Sequence, residues 1–216
     1  MAVLVNLFSN MKAILAILGM FLVLQLPAQQ DSLHAFFISD NQAHRVELNE
    51  HYGNKEESPL DKKDLKKFKA LPFFEINANY RVEAVWIRTP DEVPFEMPTS
   101  TERKPLYVKY GEIHFTIEGI ACVLNVYQNL NLVSKDGYED YLFLPFKDFT
   151  NGEETYGGGR YLDIRIPAAD LLVVDFNKAY NPYCAYSHRF SCPLVPDENQ
   201  LQLPILAGVK EGIVKK

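Results

Sequence analysis

Residues 160–177 read RYLDIRIPAADLLVVDFN, and the choice of fold turns on them. Arg160 to Ile166 alternates between two faces, and Leu171 to Asn177 does the same. Pro167-Ala168-Ala169-Asp170 between them has the chemistry of a connecting turn. Two strands joined by a short turn predict a β-hairpin. In simple register Ile166 faces Leu171, Ile164 faces Val173, Leu162 faces Asp175 and Arg160 faces Asn177. One face is then apolar near the turn and polar at its far end, where Arg160 lies diagonal to Asp175 within salt-bridge reach. Asp163 points to the opposite face.

Working outward, the same period of two recurs upstream. Tyr80 to Arg88 (YRVEAVWIR) sets Val82, Ala84, Trp86 and Arg88 on one face. Pro90, Pro94, Pro98 and Pro105 break the next region into loop with one edge strand around Phe95. Leu106 to Tyr110 and Glu112 to Glu118 read as two strands around Gly111, followed by Ile120 to Gln128 and Tyr141 to Phe146. No long amphipathic helix follows Lys69. The fold class is therefore mainly β, an antiparallel sandwich or partly closed barrel, with one or two short N-terminal helices. The first helix starts at Ser32 and ends near Glu50, before Gly53-Asn54. The second is capped by Ser58, with Pro59 and Asp61 in its first turn, and runs to about Lys69. Its lysines form a solvated face.

The chain begins with a different signal. Ala13 to Leu26 is an apolar run preceded by Lys12 and followed by Pro27-Ala28, the pattern of a signal peptide. Residues 1–28 are read as that peptide, cut near Ala28 or Gln29, and residues 29–216 as a single domain, periplasmic or secreted, with no stable membrane insertion after cleavage. Met11 is an alternative start. Without Lys12, 21 basic residues stand against 28 acidic ones, a formal charge of −7. Nucleic acid needs a basic face, so that class of partner is excluded. With 47% hydrophobic residues the chain is able to bury a core.

Downstream of the last strands the residue types become unusual. Phe143-Leu144-Pro145-Phe146, Thr155-Tyr156-Gly157-Gly158-Gly159-Arg160-Tyr161 and Asp175-Phe176-Asn177 are followed by Ala179-Tyr180-Asn181-Pro182, Cys184, Cys192-Pro193, Glu198-Asn199 and Ala207-Gly208. In that order they resemble the signature of the DUF1684 family, and the chain as a whole resembles its shorter exported members from Bacteroidetes. The resemblance implies a shared fold and a shared site, and no established activity.

Read as chemistry, the stretch offers a small-ligand site. Gly157, Gly158 and Gly159 permit close backbone approach, and consecutive N–H groups can form an anion-binding nest beside Arg160. Arg160 and Asn177 are the expected contacts to an anionic or carbonyl-bearing ligand, with Asp175 orienting Arg160. Tyr156, Tyr180, Asn181 and Tyr183 are expected to line the wall. The competing readings are a hydrolytic enzyme in the same pocket and a structural protein whose polar cluster only locks the fold. No cofactor motif is present. Cys184, His188 and Cys192 are spaced C-x₃-H-x₃-C, which leaves open a Cys184–Cys192 disulfide, a pair of free thiols or part of a metal site. Cys122 alternates with Ile120 and Leu124 and is expected in the core. Oligomeric state is not encoded in any of these patterns.

Overall fold

The computed structural model describes residues 32–215, and the chain divides into two compact units, Met1–Ala43 and His44–Lys216. The signal peptide expected over 1–28 lies outside the described residues. Within the described residues helix α1 covers 32–53, running past the expected end near Glu50. In the first unit Asn41 Nδ2 donates to the Phe37 carbonyl one turn earlier. Among the described residues no helix is long and apolar enough to cross a membrane.

The second unit is built on one antiparallel sheet. Its strands are β2 (Arg81–Arg88), β3 (Phe95–Glu96), β4 (Leu106–Ile117), β5 (Ile120–Asn129), β6 (Tyr141–Phe146), β7 (Arg160–Arg165) and β8 (Leu171–Asp175). They lie in the order β7-β6-β5-β4-β2-β8, with β3 added to β4. A separate pair joins β1 (Phe68–Ala70) to β9 (Val214–Lys215). The mainly β, partly closed barrel expected from the sequence is the architecture observed.

The predicted hairpin is not. β7 and β8 sit at opposite ends of the sheet; β7 pairs with β6, and β8 pairs with β2, placing Asp175 opposite Arg81 and Val174 opposite Val82. The five residues between them reach at most about 20 Å. Five inter-strand spacings in a flat sheet come to about 24 Å. The sheet therefore has to curl, and the short turn that suggested a hairpin instead brings the two ends of a barrel wall together. Trp86 N–H fastens the link to β2 by donating to the Asp170 carbonyl at 2.8 Å.

Alternation fixes which residues fill the barrel. Val82, Ala84, Ile113, Phe115, Leu124 and Val126 belong to the main core, and so do Leu142, Leu144 and Leu162 from the last strands. Cys122 is buried with them, as expected. The outer face of β4 to β7 is covered as well. Met97, Tyr107, Tyr127, Phe143, Tyr161 and Val195 form a second apolar cluster there. A third, around Tyr52, Leu60, Phe68, Leu71 and Val209, seats the end of α1.

Two local expectations change. Gly111 does not separate two strands; β4 runs through it, with a register shift between Lys109 and Gly111. A Cβ there would come within 2.7 Å of both the Ile87 carbonyl and the Trp86 ring. The glycine lets the Trp86 ring lie flat against the bulged strand. The second helix is also shorter than expected: α2 is one turn, Lys62–Leu65, starting after Asp61. Ser58 caps no helix. Its buried hydroxyl donates to the Tyr52 carbonyl and accepts from Leu60 N–H, and Phe68 is drawn into β1.

Candidate functional site

The residues expected to bind ligand are mostly engaged in holding the barrel. Arg160 opens β7 on its inward side and is completely buried. Its Nη2 donates to Asp148 Oδ2 at 2.8 Å and to the Ile205 carbonyl at 2.8 Å, and its Nη1 donates to the Ala207 carbonyl. The guanidinium also lies 5.2 Å from the centre of the Phe146 ring. Burial lowers its pKa, and the charge of Asp148 pulls it back up. Asp148, not Asp175, is the carboxylate that orients Arg160. Asp148 Oδ1 in turn accepts from Thr150 N–H and hydroxyl and from Ile205 N–H. The core offers a guanidinium three acceptors at fixed positions, and no other side chain donates in that fork geometry.

The amides of the signature act in the same way. Asn177 is buried, accepts from Asn77 N–H at 2.9 Å and donates to the Asn77 carbonyl and to Asp175 Oδ1. Asn181 donates to the Lys210 carbonyl and to the Tyr186 hydroxyl. Asn199 accepts from Asn125 N–H and donates to the Asn125 and Pro145 carbonyls. Asn177 and Asn181 each join two irregular segments, and Asn199 joins one to β5 and β6, by satisfying backbone groups.

The last glycine of the loop is packed into the fold as well. Gly159 has φ +92°, and a Cβ on it would come within 2.7 Å of the Phe146 carbonyl. Its N–H donates to the Tyr156 carbonyl in a turn. Gly159 lets the chain enter β7 between Phe146 and Val195, while Gly157 is exposed and Gly158 half-buried.

Cys184 and Cys192 are thiols in this structure, side by side. Cys184 N–H donates to Cys192 Sγ at 3.2 Å, and the Tyr156 hydroxyl lies 3.9 Å from Cys184 Sγ. The hydrogen bond from the Cys192 thiol brings the Cys184 pKa down to about 6, against the opposing effect of burial and with help from Tyr156 and Ser100. Cys192 moves the other way. In the reduced protein Cys184 should therefore alkylate with a half-maximal rate near pH 6 and a plateau above pH 7, as mapped by peptide mass spectrometry after iodoacetamide. A rate still climbing at pH 8 to 9, the behaviour of an ordinary thiol, would remove the argument. His188 is exposed, and among the described residues no group of three or more His, Cys, Asp or Glu side chains is placed to hold a metal ion.

An open site exists elsewhere, on the outer face of the sheet. After β8 the chain turns through residues 176–178 and returns to the free edge of β7, where Tyr161 N–H donates to the Tyr180 carbonyl and Tyr180 N–H to the Tyr161 carbonyl. The register of β6 and β7 sets Phe143 against Asp163. Between this edge and the segment around Pro182, Tyr183 and Pro193 lies a cavity of about 330 Å³. Phe143 and Tyr161 meet edge to face at 4.7 Å, and Tyr161 and Tyr180 at 5.9 Å. Tyr107 and Tyr141 complete the aromatic wall. At the rim, the hydroxyls of Tyr141 and Tyr180 both donate to Asp163 Oδ1 at 2.7 Å. Burial, then the charge of Asp163, raises the pKa of both phenols, so each remains a donor.

Of the expected wall, only Tyr180 and Tyr183 reach this cavity, and Cys192 joins them. Tyr156, the glycines, Arg160, Asp175, Asn177 and Asn181 do not line it. A larger cavity of about 610 Å³ lies along Phe95, Lys109 and Tyr127, but its one cation is already neutralised by Glu112 at 2.5 Å and Glu92 at 3.6 Å. A third, of about 500 Å³ beside Gly53, Lys62 and Phe68, presents only surface lysines.

Sequence reasoning missed Tyr141 and Phe143, and it set Asp163 apart from the site, on the face opposite Arg160. A signal was available: Tyr141 and Phe143, like Tyr161 and Asp163, occupy the outward positions of strands whose inward positions are Leu142, Leu144, Leu162 and Ile164. Aromatic residues on the outward face opposite aliphatic ones on the inward face mark a sheet covered twice.

No curated protein matches the chain. It is similar to the solution NMR structure of an uncharacterized protein of Haloarcula marismortui, with 31% identity, a TM-score of 0.65, and coverage of 83% of this chain and 97% of that one. The family model described as "Protein of unknown function (DUF1684)" matches residues 66–210, the span that holds the whole sheet, the Arg160 cluster and the amide clamps. The chain belongs to the DUF1684 family.

Proposed function

We propose that this protein is an exported small-molecule binding module whose site is the tyrosine-walled cavity at Asp163. The carrying observation is the convergence of two protonated phenols on one carboxylate oxygen at the rim of an aromatic cavity of about 330 Å³. That volume falls at the small end of ligand sites, and the combination of apolar walls with a few fixed polar groups is their usual make-up. The pair of donors holds Asp163 in one orientation before any ligand arrives, which lowers the ordering cost of binding. Arg160 and the amides belong to the scaffold in this reading.

A metabolite thermal-shift screen tests it. Compounds that raise the Tm of the wild type should lose their effect in Tyr180→Ala and keep it in Asp197→Ala, which lies away from this cavity. Hits that survive in Tyr180→Ala, or a screen with none, would count against the cavity.

Export rests on the apolar run Ala13 to Leu26, and an oxidising compartment would join Cys184 to Cys192. Protein recovered from the periplasm or medium should begin near Gln29 and have an intact mass two hydrogens below that of the reduced chain. A retained residue 13–26 segment, or the full reduced mass, would contradict these two statements in turn.

A further inference from the structure

The chemistry of the same cavity selects a class of ligand, an inference that rests on the binding reading above. Its walls hold one carboxylate, Asp163, and no lysine or arginine. Arg165, two residues further along the outer face of β7, is occupied by Asp140 Oδ1 at 2.7 Å and the Gly137 carbonyl at 2.7 Å. Most of the hydroxyls are engaged as well. Tyr141 and Tyr180 give theirs to Asp163, Tyr161 gives its own to the Pro193 carbonyl, and the Tyr183 hydroxyl is bonded to His51 Nε2 at 2.9 Å. Apart from His44, the Tyr107 hydroxyl and the Cys192 thiol, the lining side chains therefore present acceptors: phenolic lone pairs, ring π-electrons and a carboxylate. Among the described residues no group donates to Asp163 Oδ2, the oxygen left over when both phenols bond to Oδ1.

Such a wall disfavours an anion, which would meet a fixed negative charge and no lysine or arginine to pair with. A sugar needs many donors and acceptors together, and here the donors left to it are few. An alkylammonium group fits both features: its positive charge meets Asp163 Oδ2, and its methyl or methylene groups meet aromatic rings whose faces attract cations. The acidic chain, at a formal −6 over its full length, favours the approach of a cation from solution. We propose that the Asp163 cavity binds a small organic cation, a primary to quaternary alkylammonium compound, through Asp163 Oδ2 and the surrounding tyrosine rings.

NMR titration of the 29–216 protein, following the amides of Tyr161, Asp163 and Tyr180, tests this with four probes. These are choline, n-butylamine, 3,3-dimethyl-1-butanol as the neutral isostere of choline, and 3,3-dimethylbutyrate as an anion. At least one of the two cations should shift these amides and bind at least about tenfold more tightly than the neutral isostere, the scale of a partly desolvated cation–aromatic contact with a carboxylate. Asp163→Asn keeps an oxygen for the two phenols and removes the charge; it should weaken the cation about tenfold and leave the isostere within about twofold. If the neutral or anionic probe binds as tightly as the cations, the ligand class is wrong while the binding reading stands. If Asp163→Asn leaves cation affinity unchanged, the assigned contact is wrong. If neither cation shifts the cavity amides, the proposal falls; hits from the thermal-shift screen that do shift them would preserve the binding reading, and their absence would end both.

Discussion

Arg160→Met is expected to lose about 3–5 kcal/mol of folding stability, the usual cost of removing one partner from a buried ion pair. For a domain of this size that lowers the Tm on the order of 10 °C. The substitution keeps much of the side-chain volume, so the loss is electrostatic. It leaves Asp148 Oδ2 as an uncompensated charge in a site with no exposure, and it also orphans the Ile205 and Ala207 carbonyls. Arg160 Nε has no acceptor among the described residues, so the cluster already bears one unsatisfied group. Arg160→Lys should recover only part of the loss, because one ammonium group cannot reach acceptors fixed for a planar fork. The double variant Arg160→Met with Asp148→Asn should be more stable than the two single losses added together, since it leaves no lone buried charge. Chemical denaturation of the four proteins measures this. A loss below about 1 kcal/mol in Arg160→Met would mean that the pair is not holding the barrel.

Gly208→Ala is the second large effect, at about 2–5 kcal/mol. Its φ is +79°, which costs an L side chain about 1–2 kcal/mol. A Cβ there would also come within 2.6 Å of the Ala179 carbonyl and 2.9 Å of the Phe176 carbonyl. Those atoms are backbone and cannot turn aside, so overpacking adds about 1–3 kcal/mol. The contact at this point is tight because Val209 N–H donates to the Ala179 carbonyl, while the Ala207 carbonyl accepts from Arg160 and the Gly208 carbonyl from Phe74 N–H. Gly212→Ala is the control, with φ +82° and nothing within 4 Å of the added atom. It should show only the conformational part, about 1–2 kcal/mol. Equal losses in the two variants, measured by urea unfolding, would refute the clash.

Both predictions concern signature residues, and both are about folding. That outcome explains how the sequence was legible and where it misled. The residue types that stand out in the chain, the glycines, Arg160, Asn177 and Asn181, stand out because few side chains meet the backbone and charge requirements of those positions. The same rarity would be expected of a binding site, and local spacing does not separate the two cases. The cavity residues carry no such mark. Tyrosines and one aspartate on strands look like ordinary outward positions until a second layer of chain is known to cover them.

What the sequence alone determined was the period of two, the approximate places of most strands and the mainly β class, since alternation follows from local backbone geometry. It also placed Arg160 and Asp163 on opposite faces of β7 and Cys122 in the core. Only the tertiary structure decided that β7 and β8 close a curled sheet from its two ends, that Asp148 and not Asp175 meets Arg160, and that Tyr180 returns to the edge of β7 beside Asp163. Those pairings join segments far apart in the chain or bypass the nearest neighbour. They are selected by how the curled sheet buries both of its faces at once, a condition that no window of local sequence contains.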